Sequence, residues 1–338
     1  MTPKHILLTG ASGTVGFEAL KQLVKKGYEV TAFDKKSKAS SKKLRSFENQ
    51  AHVIFGDITV PTDLKQIKGS IDAVIHLAAI IPPVADDFPE LAQKVNVDGT
   101  KHLLNFLETH SPEAFLIYSS SISVYGDRII DPMIEVGDPL IPSPRDAYAI
   151  TKIAAEDLIK KSKLNWTIFR LAAIMGGHKM SKLMFHQPLN TSLEIATPRD
   201  TARAFVNAIG FQEELNYKIY NLGGGESCRM RYDDFLQKSF DIFGLGKLDF
   251  PKYSFADKNF HCGYYVDGND LENIVGFRQD SIEDYFLMES GKVSALKKAG
   301  ASLFKKPIKK YLLRQSEPFI AHKTNDKKEV AHYFNSNS

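Results

Sequence analysis

A glycine-rich turn near the start of the chain constrains the fold more than any other feature. The apolar run at 5–8 is typical of a buried strand, and Gly10, Gly13 and Gly16 follow it in the order GASGTVG. Residues 17–26 then place apolar side chains at helical intervals, so the turn joins a strand to a helix. There the first glycine permits a tight turn, the second lets the backbone approach a pyrophosphate, and the third allows close helix–sheet packing. The unit predicts a dinucleotide site at the start of the first helix.

Short apolar runs continue to alternate with helical patterns through the first half of the chain. Continuous apolar strands separated by helices indicate an α/β fold with a doubly wound parallel sheet, the Rossmann fold. After residue 175 the rhythm breaks down, and we expect a smaller, interleaved C-terminal substrate domain. The expected dinucleotide-binding domain is 1–175 with 196–223, the substrate domain is 176–195 with 224–322, and 323–338 is a mobile tail. Strands are predicted at 5–8, 28–33, 51–55, 73–77, 114–118, 166–171 and 218–222, and helices at 17–26, 95–109, 147–161 and 198–209.

Asp34 closes the second predicted strand, about 18 residues beyond the glycine turn. A carboxylate there accepts hydrogen bonds from both adenosine ribose hydroxyls and repels a 2′-phosphate, which favours NAD over NADP. Six basic residues follow it and leave two interpretations open. They form either a solvated, mobile loop or a phosphate-binding loop that would permit NADP. NAD is the predicted cofactor, and NADP is not excluded. The basic residues are Lys35, Lys36, Lys38, Lys42, Lys43 and Arg45.

Charge, cysteine content and hydropathy limit the compartment and the classes of partner that we expect for the protein. Forty-four basic and forty acidic residues leave a formal charge of +4, too small a surplus to indicate a nucleic-acid partner. Cys228 and Cys262 lack metal-ligand spacing, so we expect no metal site, no disulfide framework and a reducing compartment. The first apolar run is too short for a signal peptide, and no run is long enough to cross a bilayer. We expect a cytoplasmic protein with a small-molecule substrate and no membrane partner.

Tyr148 and Lys152 are four residues apart on a predicted helix, so they share one face. A free tyrosine has a pKa of about 10 and is a poor base at neutral pH. A nearby ammonium and a positive nicotinamide ring would both lower that pKa. Tyr148 could then take a proton from a substrate hydroxyl while hydride leaves the same carbon, or donate the proton in the reductive direction.

With these residues the chain resembles the extended short-chain dehydrogenases/reductases, also called the NAD-dependent epimerase/dehydratase family. The resemblance covers Thr9 to about Asn221 and, more loosely, continues to about Phe286. All the matching pieces stand in the family's order and spacing. They are TGASGTVG (9–16), GDIT (56–59), HLAA (76–79), VNVDGT (95–100), SSSISVYG (119–126), YAITK (148–152), RDTARA (199–204) and YNLGGG (220–225).

The resemblance implies roles for particular residues. Ser121, selected by counting back four residues from Tyr125, would bind the reacting oxygen, although three other serines lie close by. Lys152 would also hold the nicotinamide ribose. Asn96 would bond near that ribose, or else satisfy backbone groups at its own helix start. A homodimer is implied through helices 95–109 and 147–161, unless the C-terminal segment covers their outer faces. The remaining implied cofactor contacts are Thr14, Val15, Asp57, Ile58, Leu77, Ala78 and Ala79.

Departures from the family's subgroups indicate the reaction. Ser121 is followed by Ile122 and Ser123, where dehydratases of the family carry an acidic pair, so dehydration is disfavoured. Ala173 stands where the sugar-nucleotide epimerases carry an asparagine that contacts the diphosphate. The sequence therefore favours NAD-dependent interconversion of a secondary alcohol and a ketone, possibly sugar-like. A sugar epimerase with tightly bound NAD is the alternative, and a non-enzymatic dinucleotide-binding regulator is a third hypothesis.

Three further segments have two interpretations each. Arg145 could bind an anionic substrate but is more typical of a solvated loop. Arg199 and Asp200 suit helix capping and inter-domain packing better than catalysis. The basic run at 292–314 could form a membrane-surface helix, but Pro307 should break it, so a solvated face is favoured.

Overall fold

A computed structural model describes residues 4–177 and 180–335 of the protein. Its strands begin and end within one or two residues of most of the predicted ones, because short buried apolar runs have well-marked ends. The strands are β1 (His5–Thr9), β2 (Glu29–Asp34), β3 (His52–Phe55), β4 (Ala73–His76), β5 (Phe115–Ser121), β6 (Met133–Ile134), β7 (Asn165–Leu171), β8 (Ala173–Ile174), β9 (Ser192–Ala196), β10 (Lys218–Leu222), β11 (Arg229–Arg231) and β12 (Tyr264–Tyr265).

The main sheet has the order β3-β2-β1-β4-β5-β7-β10, and every neighbouring pair in it is parallel. The order in which the chain adds strands to the sheet reverses between β1 and β4, which are hydrogen-bonded neighbours. From β1 the sheet continues to β2 and β3 on one side, and from β4 it continues to β5, β7 and β10 on the other. In doubly wound folds the ligand crevice lies outside the carboxyl ends of the strands at that switch point. The predicted doubly wound parallel sheet is confirmed.

Helices cover both faces of this sheet, and each face has its own apolar cluster. A π-helical stretch (Gln93–Asp98) leads directly into α6, so the helix predicted at 95–109 has an irregular first turn. The α-helices are α1 (Thr14–Lys25), α2 (Lys38–Leu44), α3 (Pro61–Leu64), α4 (Val84–Asp87), α5 (Pro89–Ala92), α6 (Gly99–His110), α7 (Ala147–Lys161), α8 (Leu183–His186), α9 (Pro198–Ala208), α10 (Gln212–Leu215), α11 (Tyr232–Phe243), α12 (Asn269–Val275), α13 (Ile282–Gly291), α14 (Ala295–Leu303), α15 (Lys305–Leu313), α16 (Glu317–Thr324) and α17 (Lys327–Tyr333).

A third apolar cluster is built largely from α11, α13 and β9. Strands β8, β9 and β11 form a separate small sheet, and β6 pairs with β12. The elements α11, α13, β11 and β12 come from 224–322, which was expected to form the substrate domain, whereas β6 and β8 lie within 1–175, which was expected to belong to the dinucleotide-binding domain. The division into two domains stays a proposal. Arg199 binds Asp280, and Asp200 accepts the backbone N–H groups of residues 279 and 280. The packing role expected of Arg199 and Asp200 is therefore present, while Thr197 caps α9.

The basic segment after Asp34 differs from the expected mobile loop. Residues 38–44 form α2, which starts with a capping box between Ser37 and Ser40. Reciprocal side-chain and backbone hydrogen bonds of this kind stabilise a helix start. The sequence did not predict this helix, because its capping box depends on two serines three residues apart in a segment that is otherwise rich in lysine.

Pro307 does not break the basic segment as the sequence suggested. It lies in the first turn of α15, where a proline has no intrahelical hydrogen bond to lose. The break falls earlier, between α14 and α15. Most of the side chains from Lys292 to Lys306 are exposed, as a solvated face requires. In the described part of the chain, no helix is both long and apolar enough to span a bilayer.

Residues 323–335 also differ from the mobile tail expected at 323–338, and 336–338 lie outside the described residues. Residues 327–333 form α17, and Tyr333 and Phe334 are buried against Ala256 and Ala321. The Tyr333 hydroxyl donates to Glu317 at 3.0 Å. These two apolar side chains pack a polar segment against the rest of the protein, although the average composition of the segment is typical of a mobile tail.

Replacing Tyr333 with alanine should loosen this terminal pair of helices. Losing the buried ring removes about 2 kcal/mol of local stabilisation, which is roughly a thirty-fold increase in amide hydrogen exchange. Hydrogen exchange read by mass spectrometry over 317–334 measures the change. Lys327→Ala is the control, because Lys327 is exposed and should leave the rates unchanged. Rates in the unmodified protein equal to those of an unstructured peptide would contradict the docked arrangement.

Candidate active site

The glycine turn brings three backbone segments into close contact. Gly10 has a φ of +71°, and a Cβ there would lie 2.8 Å from the backbone nitrogen of Ala78. A Cβ on Gly16 would lie 2.1 Å from the carbonyl oxygen of Gly10. Helix α1 begins at Thr14 with Gly13 as its N-cap, without a side-chain cap from the described residues, and both are exposed. Its first N–H groups are therefore open to an anion, which fits a dinucleotide pyrophosphate.

Two carboxylates lie at or just beyond the carboxyl ends of β2 and β3. Asp34 accepts the backbone N–H of Ser12 at 2.5 Å, so it lies beside the turn. Asp57 accepts from the Lys35 ammonium at 2.7 Å and from Thr59. Partial burial raises the pKa of Asp57, but the hydrogen bonds from Lys35 and Thr59 outweigh burial and lower it to about 2. Ile58, next to it, is buried.

Lys35 and Lys43, from the basic segment, have specific partners. The Lys35 ammonium lies on Asp57, and the Lys43 ammonium donates to the Ser12 carbonyl at 2.7 Å. Burial lowers the pKa of Lys43. Lys43 therefore stabilises the turn from outside, and the sequence missed this role because nothing in the spacing indicated that 38–44 folds back.

Asn96 is buried in the π-helical stretch and connects the loop after β4 to α7. Its carbonyl oxygen accepts from the Ile80 backbone, and its amide donates to the Ile80 carbonyl at 3.0 Å and to the Thr151 hydroxyl at 2.9 Å. The backbone groups it satisfies belong to another segment, unlike those of a helix cap. Leu77, Ala78 and Ala79, which the same loop presents after β4, are half-buried.

Ser121, Tyr148 and Lys152 meet at the carboxyl end of β5. Ser121 is the last residue of that strand, and Tyr148 lies in the first turn of α7, where its side chain interacts with that of Ser121. The Lys152 ammonium lies 5.6 Å from the centroid of the Tyr148 ring. It donates to the Ser119 carbonyl at 2.6 Å. The structure thus brings the three predicted catalytic residues together.

Burial dominates the protonation of this site. It raises the pKa of Tyr148, and the hydrogen bond with Ser121 opposes that rise only in part. Burial also lowers the pKa of Lys152 to about 7, although Glu156 opposes it. The expectation that the lysine makes the phenol acidic is therefore wrong for the protein groups alone. The charge of a buried ammonium that lies 5.6 Å from the ring centroid does not offset the loss of solvent around the phenolate.

A buried ion pair behind Lys152 was missed in the sequence. Glu156 of α7 binds Arg170 of β7 through two hydrogen bonds of 3.0 and 2.8 Å, and both side chains are almost fully buried. Glu156 also accepts from Ser120 at 2.5 Å, and Arg170 donates to the Tyr125 hydroxyl at 2.9 Å. The spacing held a signal, since Glu156 is four residues beyond Lys152 on the same helix face.

The loop before α7 is held by contacts from distant parts of the chain. Arg145 forms two hydrogen bonds with Glu329 of α17, at 3.0 and 2.8 Å. It is therefore neither a free anion site nor a fully solvated residue. Asp146 caps α7 by accepting the Ala149 N–H at 2.7 Å, and His261 lies 3.2 Å from its other oxygen. These contacts fix the start of the helix that carries Tyr148.

The model of the NAD dependent epimerase/dehydratase family matches residues 6–193, more than half of the chain. The chain belongs to this family. Membership confirms the resemblance found in the sequence, and the family's stated NAD dependence and enzymatic nature agree with the predicted cofactor and enzyme class. The match includes the glycine turn and the three residues at the end of β5.

Individual relatives of the chain differ in their reactions. The chain is 31% identical over 165 residues to a 3-beta-hydroxysteroid dehydrogenase of Mycolicibacterium neoaurum, covering 46% of the chain and 42% of that protein. It is 23% identical over 252 residues to a D-erythronate dehydrogenase of Cupriavidus necator, covering 65% and 77%. The chain thus spans less than half the length of the first relative.

The solved structures agree on the fold. A UDP-glucuronic acid 4-epimerase from Bacillus cereus, solved with UDP-glucuronic acid and NAD, superposes with a TM-score of 0.70 at 21% identity. The superposition covers 85% of this chain and 98% of the epimerase. At this identity the likeness supports the architecture alone.

Removing the arginine of the buried pair should strongly destabilise this family member. Arg170→Met leaves Glu156 buried without its cation, which costs about 3–5 kcal/mol of unfolding free energy. Urea denaturation followed by circular dichroism measures the loss. Arg231→Met is the matched control, since Arg231 pairs with Asp233 at the exposed surface and should show no measurable change. Equal effects of the two variants would contradict the structural importance of the buried pair.

The lowered pKa of Lys152 predicts a specific pH dependence of stability. Between its folded pKa of about 7 and its ordinary value, the unfolded chain binds one proton more than the folded chain. Stability should therefore rise with pH in this window, by at most about 1.4 kcal/mol per pH unit from this group. Denaturation curves of the unmodified protein and Lys152→Met isolate the contribution as a difference in slope.

Lys160→Met serves as the control for this measurement, because Lys160 lies on the exposed face of the same helix. Its slope should equal that of the unmodified protein. Parallel slopes for the unmodified protein and Lys152→Met would show that Lys152 stays charged across the window.

Proposed function

We propose that the protein interconverts a secondary alcohol and a ketone by hydride transfer with NAD, using Ser121, Tyr148 and Lys152. The observation that carries the proposal is the convergence of the Ser121 and Tyr148 side chains beside the Lys152 ammonium. This site is connected to the glycine turn, because the loop that starts at Ala78 continues to Ile80, which Asn96 links to α7.

The residues present fit NAD. The α1 N-terminus, with Gly10, Gly13, Thr14, Val15 and Gly16, would hold the pyrophosphate. Asp34 would hold the adenosine ribose, Asp57 and Ile58 would lie beside the adenine, and Leu77, Ala78 and Ala79 would line the cofactor. Lys152 would hold the nicotinamide ribose. Asn96 would act through the loop that it fixes, because its amide groups are already hydrogen-bonded. When bound, NAD supplies the hydride acceptor and NADH the donor.

The proton chemistry follows from the protonation of Tyr148. A tyrosine is already protonated at neutral pH, and burial raises the pKa of Tyr148 further, so in the reductive direction Tyr148 is ready to donate its proton to the carbonyl oxygen as hydride reaches the carbon. Ser121 donates a hydrogen bond to the same oxygen and stabilises its developing charge. In the oxidative direction Tyr148 receives the proton back from the hydroxyl. The Lys152 ammonium then favours the phenolate, and it is held in place by the Ser119 carbonyl.

The choice of NAD rests on Asp34. Its carboxylate lies beside the turn, where it would repel a 2′-phosphate. Lys35 and Lys43 bind Asp57 and the turn, so neither extends freely toward a phosphate group. The NADP alternative depends on the other four basic residues of the segment.

An epimerase with tightly bound NAD is the second candidate, supported by membership of the NAD dependent epimerase/dehydratase family. Ala173, where the resemblance expects an asparagine, counts against it. The complete set of Ser121, Tyr148 and Lys152 counts against a non-enzymatic regulator.

We also propose a homodimer through α6 and α7, since Ile150 of α7 is 56% exposed. A cytoplasmic location is supported by two unpaired, buried cysteines.

Tyr148→Phe should reduce hydride transfer at least about 100-fold while leaving NAD binding unchanged, because only the proton donor is lost. The absorbance of reduced nicotinamide measures hydride transfer with each member of a panel of alcohols, aldoses and uronates. Calorimetry measures NAD binding. Tyr217→Phe is the control, since Tyr217 is exposed and remote from the site. Epimer formation without net nicotinamide reduction would favour the second candidate. Full activity in Tyr148→Phe would contradict the proposed role.

A further inference from the structure

An apolar cavity of about 300 Å³ begins at Ser121 and extends away from the main sheet. Its size is at the lower end of the range for small-molecule sites. The walls come from β8, α8, α11 and α13, whose side chains pack in the third apolar cluster. The apolar lining includes Met175, Met184, Phe235, Leu236, Phe243 and Tyr285.

The polar side chains in these walls mostly have partners within the protein. The Tyr232 hydroxyl donates to the Met184 carbonyl at 3.0 Å, and Ser239 donates to a carbonyl of its own helix. The Gln187 amide donates to Thr191 at 2.9 Å. Glu194 accepts from Arg229 and from two backbone N–H groups. A polyhydroxylated ligand would need to replace these bonds, whereas an apolar ligand would leave them intact.

Within the described residues, this cavity lacks the lysine or arginine side chains that could bind a diphosphate. A diphosphate buried without cations or several N–H donors would carry a large desolvation cost. The chemistry of the described walls therefore disfavours a sugar nucleotide and favours a hydrocarbon surface.

A larger, charged cleft of about 510 Å³ adjoins this cavity, and the two share Leu183, Phe260 and His261. Two of its cations already have carboxylate partners. Arg145 binds Glu329, and Lys182 lies 2.6 Å from Asp87 and 3.1 Å from Glu317. An anionic ligand there would compete with ion pairs that the protein has formed. Among the described residues that line the cleft, Lys258 is the one lysine or arginine without a carboxylate partner, so the cleft provides a polar entrance with a single free lysine for a diphosphate.

We propose that the cavity beginning at Ser121 holds the apolar body of the substrate. The substrate class is then a secondary alcohol or ketone whose reacting carbon belongs to a hydrocarbon ring system or chain, rather than a sugar or sugar nucleotide. This inference rests on the proposed function for the identity of the reacting carbon. Its binding part depends only on the cavity. Ser121 connects the two parts, since it lines the cavity and its side chain also interacts with Tyr148.

The experiment uses the full-length protein with 2-decalone, an apolar bicyclic ketone, and UDP-glucose as the polar comparison. Calorimetry in the presence of NAD measures binding of each probe, and loss of NADH absorbance measures reduction of the ketone. We expect 2-decalone to bind at least tenfold more tightly than UDP-glucose and to be reduced.

Phe243→Glu introduces a charge into the half-buried wall of the cavity. It should weaken 2-decalone binding at least tenfold and leave NAD affinity unchanged, because a carboxylate in an apolar wall must stay hydrated. Phe304→Glu is the matched control: Phe304 is 58% exposed and is not part of the cavity. It should bind both ligands as the unmodified protein does, and circular dichroism confirms that both variants fold.

The outcomes separate this inference from the proposed function. Tight binding of 2-decalone that Phe243→Glu weakens, without reduction of any ketone, would support the cavity and contradict the hydride-transfer proposal. Turnover of sugars or UDP-sugars without binding of 2-decalone would overturn the apolar substrate class and leave the hydride-transfer proposal intact. Equal weakening by Phe243→Glu and Phe304→Glu would also overturn it, since the binding would then not depend on the cavity.

Discussion

The active site depends on how α7 is held against β5 and β7. The buried contact between Glu156 and Arg170 fixes the distance of the helix from the sheet, and Ser120 and Tyr125 join the same network. Lys152, one turn earlier on that helix, reaches the Ser119 carbonyl only because the helix lies this close. The pair is costly to bury, and its geometry compensates by satisfying nearly every donor and acceptor. The proposed catalytic residues are therefore positioned by a buried ion pair that takes no part in the chemistry.

Burial has opposite consequences for the two titratable residues of the site. Tyr148 becomes harder to deprotonate, and Lys152 becomes easier to deprotonate, because both lose water around their charged forms. Before any ligand charge is considered, the site thus holds a neutral phenol beside a weakly held ammonium proton. Such a site is prepared to give a proton to a carbonyl oxygen. Accepting one from an alcohol needs the additional positive charge that an oxidised nicotinamide supplies.

The sequence predicted the main sheet well because its signals are local. Apolar runs such as 5–8 and 218–222 and glycines with specific backbone roles identify the strands and the turn. The residues at the end of β5 were also predicted, because a family motif carries them. The failures concern long-range contacts. Nothing local indicated that Lys43 returns to Ser12, that Glu329 reaches Arg145, or that burial outweighs the effect of Lys152 on Tyr148.

The C-terminal segment illustrates why composition misled at that end of the chain. Its helices are polar on average, yet Tyr333 and Phe334 dock them, and Glu329 then reaches the loop before α7. One consequence is that a segment remote in sequence borders the charged cleft next to the substrate cavity. The C-terminal segment can therefore influence what enters the cleft without contributing any of the proposed catalytic residues. The apolar cavity and the charged cleft divide the two tasks: one suits the body of a substrate, and the other controls what can enter.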